Sequence, residues 1–100
     1  MLHIVNKSPQ ERNSLDSCLR IAQSGAVLLI EDAVYAATRG NAAEAKLRET
    51  IAAGNLKVYA LGPDLDARGM GDRVMEGVAT VDYGGFVDLV AEHKNSQSWL

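Results

Sequence analysis

Cys18 is the one cysteine in the chain and the side chain with the widest chemical repertoire. A thiolate near a helix N-terminus is a nucleophile that can carry a persulfide, because the helix dipole lowers the thiol pKa. The neighbouring residues also allow a plainer reading. Leu15, Cys18, Leu19 and Ala22 recur at i, i+3, i+4 and i+7, the spacing of one buried helical face. A thiol on that stripe packs as a small hydrophobe. Two helix starts are open. Ser8-Pro9-Gln10-Glu11 has capping-box spacing with proline at the first helical position, and Asn13-Ser14-Leu15-Asp16 offers a second start a turn later. With the first start, Cys18 lies beyond the turn where the dipole acts, and sequence physics favours the packing reading.

The other chemistry-bearing residues form no recognisable catalytic set. His3 sits in an apolar stretch and His93 near a helix end, where a cation suits the dipole. Neither forms a recognisable nucleophile–base arrangement with Cys18 or a serine. A lone cysteine makes neither an internal disulfide nor a paired-cysteine metal site, so no metal is expected. Gly69-Met70-Gly71 is a fragment of a glycine-rich phosphate loop without its third glycine, and it reads as a plain loop with no cofactor.

Short apolar runs alternate with helical patterns along the chain. Leu2 to Val5 reads as a first strand, followed by the helix of Cys18, which Gly25 closes. Ala26 to Ile30 is a continuous apolar run, as expected of a strand covered on both faces. Asp32 then caps a short helical turn through Tyr35 and Ala37, and Arg39-Gly40-Asn41 breaks the chain. A helix over about Ala42 to Ala53 stops at Gly54-Asn55. Leu56 to Leu61 is a third strand, Pro63 to Arg68 a helical turn ended by Gly69, and Val78 to Val81 a fourth strand. Asp82 caps a last helix with Phe86, Leu89 and Val90 on one face, and the terminal Trp99 suggests docking, as a short fifth strand or against a partner.

This alternation predicts right-handed βαβ units in a three-layer α/β fold. It has a mostly parallel sheet of four to five strands with helices on both faces. In such sheets ligands gather at the carboxyl ends of the strands. That edge carries Lys7, Asp32, Asp64 and Asp82, and Lys7, Asp32 and Asp64 could form a small-ligand site. Asp32, Asp64 and Asp82 each start a helical turn, and N-capping alone accounts for them.

One hundred residues suit a single domain over 1–100, with a core too small to leave a wide stability margin. The net charge of −3 argues against direct nucleic-acid binding. The opening residues lack the length and cleavage site of a signal peptide, and no apolar run reaches the roughly 20 residues that span a bilayer. A cytoplasmic protein without membrane contact is the expectation.

Several segments together resemble one family. They are Met1-Leu2-His3 with Lys7-Ser8-Pro9, Leu28-Leu29-Ile30-Glu31-Asp32 with Tyr35-Ala36-Ala37, and Val58-Tyr59-Ala60-Leu61 with Asp64-Leu65 and Ala67-Arg68-Gly69. Val81-Asp82-Tyr83, Phe86-Val87 and Ser98-Trp99 continue the likeness to the end. As a set they resemble the DsrH/TusB family of sulfur-relay proteins. The resemblance implies a flavodoxin-like, DsrEFH-like fold. It also implies a place in a heterohexamer with DsrE/TusD-like and DsrF/TusC-like subunits, which hands persulfide sulfur to a downstream acceptor protein. The use of that sulfur would be oxidation of stored sulfur or 2-thiolation of tRNA wobble uridine. In such complexes the principal sulfur-carrying cysteine lies on the DsrE/TusD-like subunit. Asn13 to Leu19 looks like the DsrH segment that bears that subunit's cysteine, which leans towards the DsrH branch and sets a persulfide role for Cys18 level with the packing reading. Three functions therefore stand open: an accessory relay subunit, a Cys18-dependent sulfurtransferase, and a free-standing ligand-binding domain.

Overall fold

Ala26, Val27, Leu28 and Leu29 carry no polar side-chain atom, and each is at most 2% exposed. A strand this apolar must be covered on both faces, and the topology provides that cover. The computed structural model describes residues 1–7, 14–21, 24–54, 56–93 and 95–99. In it β2 (Gly25–Leu29) is the central strand, paired in parallel with β1 (Leu2–Val5) and β3 (Leu56–Leu61). Strand β4 (Ala79–Val81) lies outside β3, and β5 (Ser96–Trp99) outside β1. The order is β4-β3-β2-β1-β5, parallel throughout.

That order decides where the helices go. From β1 to β4 the chain steps across the sheet in one direction, so right-handed crossovers put every intervening helix on one face. These are α1 (Ser14–Ile21), a 3-10 helix (Glu31–Ala37), α2 (Glu44–Ala53) and α3 (Gly62–Ala67). Their side chains Leu15, Cys18, Val34, Leu47 and Leu65 form one core cluster with Val5, Val27, Leu29, Val58 and Ala60 of the sheet. The return from β4 to β5 reverses direction, which sends α4 (Tyr83–Glu92) to the opposite face. There Leu89 packs with Leu2, Ala26 and Leu28, and Ile4, Ile30, Tyr59, Val81 and Phe86 are only partly covered. The predicted α/β architecture is therefore the observed one, with unequal outer layers.

Local details depart from expectation in instructive ways. Gly25 does not close a helix; it opens β2 at φ 106°, with the backbone of Met1 so near that a Cβ would lie 2.2 Å from its carbonyl oxygen. Any other residue there would push β1 away. Gly54 is a true C-cap, left-handed at φ 80°, with its N–H donating to Ile51 O. Helix α2 starts two residues later than the pattern suggests, because the Asn41 side chain folds back. Its Oδ1 accepts from Ala43 N at 2.7 Å, and its Nδ2 donates to Ala36 O and Thr38 O. Asp82 caps α4 as expected, Oδ1 accepting from Gly85 N at 2.7 Å. Val90 leaves the expected buried face and is 41% exposed. The expected starts at Ser8 and Asn13, together with Ala22 and Asn55, lie outside the described residues.

Trp99 docks as part of a fifth strand. Its Nε1 donates to His3 Nδ1 at 3.2 Å, and its ring packs against the larger core cluster. An accepting Nδ1 requires neutral His3 with its proton on Nε2. Burial, and secondarily the positive N-terminal amine, hold the His3 pKa below its usual 6.5. The unfolded chain therefore binds the proton more readily, so stability present at neutral pH is lost as pH falls below 6.5 towards the folded-state value. Between pH 7.5 and 5 the fluorescence of Trp99 should shift towards a solvated tryptophan and the melting temperature should fall. His3→Gln should flatten the titration; an unchanged titration in that variant would remove His3 as its cause.

Candidate functional site

Helix α1 places Cys18 one turn after Leu15, so both side chains point into the larger core. Cys18 is 0% exposed. Burial pushes its thiol pKa up to about 11, the opposite direction from an activated nucleophile. At neutral pH the thiol is therefore held in its protonated form. Within this chain the sulfur is an apolar packing group, and chemistry at it requires α1 to move or a partner to remodel its surroundings.

The carboxyl edge of the sheet holds a more ordered polar network. Chain reversal after β2 puts Glu31 at φ 51°, a left-handed conformation that costs a non-glycine residue about 1–2 kcal/mol. The Glu31 N–H is fixed there by Asp64 Oδ2 at 2.6 Å. Arg68, at the end of α3, reaches across with Nε and Nη2 to Asp32 Oδ1, at 3.0 and 2.9 Å, while its Nη1 donates to Asp64 O at 3.1 Å. The topology thus brings Asp32 and Asp64 together, as the sheet-edge argument expects, but through Arg68, which sequence reasoning treated only as the last residue of a turn. The capping roles expected for both aspartates are corrected. Ile30 and Leu61 occupy the N-cap positions without side-chain capping bonds, and the carboxylates are spent on Arg68 and on the Glu31 backbone. Only Asp82 of the three caps a helix. Lys7, half-buried after β1, makes no ion pair with Asp32 or Asp64, and beside it Asn6 Oδ1 is buried without a hydrogen-bond partner.

This network binds two connections to each other. The open cleft at this edge, about 550 Å³, lies further along, between α3 and the start of α4. Its walls are Gly62, Pro63, Asp66, Val81, Asp82 and Gly85, with Thr80. A second cleft of about 310 Å³ lies at the other end of β3, lined by Ile51, Leu56, Val58 and Tyr59. Among the described residues no three His, Cys, Asp or Glu side chains are placed to hold a metal ion. Among them, too, no helix is long and apolar enough to cross a membrane.

The model of a family described as DsrH like protein matches residues 7–96, which includes α1 with Cys18 and the Asp32–Arg68–Asp64 network. The chain belongs to the DsrH family. Curated relatives of this family member include Protein TusB of Pectobacterium parmentieri, 36% identical, with 99% of this chain and 100% of the relative aligned. Protein TusB of Escherichia coli O81 (strain ED1a) is 32% identical over the same shares. Among solved structures, the ychN protein from E. coli superposes with a TM-score of 0.81 at 21% identity, covering 98% of this chain and 97% of its own. Protein MTH1491 of unknown function, from Methanobacterium thermoautotrophicum, gives 0.75 at 22% identity, covering 97% and 95%. At these identities the two structures establish the DsrH member's fold alone.

Two outcomes check this geometry. In the native chain a thiol-modifying disulfide reagent should label Cys18 at least about 100-fold more slowly than in urea-unfolded chain, because reaction waits for opening of the core. Equal rates would place the thiol at the surface. Asp64→Ala should lower stability in urea titration by about 1 kcal/mol by taking the acceptor from Glu31 N–H. Asp64→Asn, which keeps an accepting oxygen, should cost less, and Glu31→Gly in the Ala background should recover part of the loss.

Proposed function

We propose that this chain is an accessory subunit of a sulfur-relay complex that supplies sulfur for 2-thiolation of tRNA wobble uridine. The observation that carries this reading is the full-length likeness to proteins named TusB, at 32–36% identity. The DsrE/TusD-like and DsrF/TusC-like subunits are its partners in a heterohexamer. The persulfide travels on the DsrE/TusD-like subunit and is handed to a downstream acceptor, while this chain contributes shape and docking surface. The burial and raised pKa of Cys18 support that division of labour.

A second reading is kept by the DsrH-like segment around Cys18. Here the thiol itself carries sulfur once α1 has been displaced in the complex, and the pathway is oxidation of stored sulfur. The free-standing ligand-binding reading has less support, because Asp32 and Asp64 are engaged with Arg68 and the Glu31 backbone.

Deletion of the gene followed by mass spectrometry of digested tRNA separates these readings. The accessory role predicts loss of 2-thiouridine, restored by both the wild-type chain and Cys18→Ser. Restoration by the wild type alone would make Cys18 a carrier. Unchanged 2-thiouridine in the deletion strain would contradict the thiolation reading.

A further inference from the structure

Helix α4 carries more apolar surface than the fold uses. Phe86 and Leu89 pack towards the sheet, but Tyr83, Val87 and Val90 stand 62%, 65% and 41% exposed. Their i, i+4, i+7 spacing makes them a single stripe. Among the described residues, the one other large hydrophobic side chain that stands exposed is Met1. A helix apolar on two faces is a helix meant to be buried on two faces, and here one is open. The sheet beneath is also incompletely covered at Ile4, Ile30, Tyr59 and Val81.

Charge says what kind of partner fits. The helix Tyr83–Glu92 contains Asp88 and Glu92, both exposed, and no Lys or Arg. At its N-terminal end the 550 Å³ cleft runs up to α4 itself, since Gly85 lines it and Asp82 immediately precedes Tyr83. Two carboxylates, Asp66 and Asp82, line that cleft beside Pro63 and Val81. The acidic cleft therefore adjoins the N-terminal end of α4, where Tyr83 begins the apolar stripe. An interface stable enough to isolate needs about 800 Å² from each partner, more than three side chains supply, so the contact must extend from the stripe into the cleft.

We propose that α4 and the adjoining Asp66–Asp82 cleft form one docking surface for a protein of different sequence, which lays an apolar face on Tyr83, Val87 and Val90 and inserts a lysine or arginine between the two carboxylates. A second copy of this chain is a poor occupant. A two-fold axis that packs the stripes antiparallel sets the C-terminal end of one α4, with Glu92, beside the Asp82 end of the other, and the helix Tyr83–Glu92 has no cation to answer them. An anionic lipid surface meets the same repulsion. The proposal rests on the reading of the chain as a subunit of a mixed assembly and assigns the surface through which it joins.

Sedimentation velocity of the full chain, alone and mixed with its DsrE/TusD-like and DsrF/TusC-like subunits, tests it. The wild-type chain should be monomeric alone at micromolar concentration and enter a larger species in the mixture. Val87→Asp and, separately, Asp66→Lys should each weaken that association at least tenfold, with unchanged circular dichroism, since both positions are exposed. Asp66→Lys keeps the test decisive should the helix variant lose its fold. Association by both variants at wild-type strength would overturn the surface while leaving the proposed function standing. Self-association of the chain that Val87→Asp abolishes would overturn the choice of a different partner. A wild-type chain that joins neither subunit would overturn both proposals.

Discussion

The handedness of parallel crossovers governs this structure. Once β2 is the central strand and each of the next two strands is laid on the same side of its predecessor, right-handed connections have no choice of face. Three helices and a 3-10 helix crowd onto one side, and a single reversal sends α4 to the other. The larger cluster, from Val5 and Leu15 to Leu65 and Met75, is a closed core. Among the described residues, the smaller one has four buried members, of which Leu89 alone comes from a helix. Both the deep burial of Cys18 and the exposure of Tyr83, Val87 and Val90 follow from this inequality.

The polar network at the carboxyl edge follows from the same layout. A chain leaving β2 must turn at once into a 3-10 helix lying over the sheet, and the turn forces Glu31 into left-handed backbone. Asp64 and Arg68, one turn apart on α3, hold that turn from the neighbouring connection. The Arg68–Asp32 pair is partly solvated, with side chains 22% and 45% exposed, and contributes at most about 1 kcal/mol. Its structural value lies in orientation, because both Nε and Nη2 address one carboxylate oxygen.

Much of this was legible in the chain. The unbroken run Ala26–Leu29 announces a doubly covered strand, alternating patterns announce parallel pairing, and Asp82 before a helical stretch is a cap. What was not legible depends on contacts distant in sequence. Asp32 and Asp64 look like caps because each precedes a helical pattern, yet Arg68 lies 36 residues from Asp32, and Asp64 lies 33 from the backbone it holds. Gly25 looks like a helix stop, while the backbone of Met1 beside it is what demands glycine. Val90 shares a helical face with Phe86 by spacing, but only a count of the helices on each side of the sheet shows that nothing covers it. The sulfur chemistry is the hardest to read, since a cysteine at a core position and one poised for transfer have the same local sequence.

The isolated chain has one closed face and one unfinished face, which the proposed mixed assembly would complete. Hydrogen exchange followed by mass spectrometry, on the chain alone and in complex with its relay partners, measures this directly. The account predicts that amides of Tyr83–Glu92 exchange much faster than those of β2 in the isolated chain and become protected on assembly. Helix α4 as protected as β2 in the free chain, or unchanged in the complex, would contradict it.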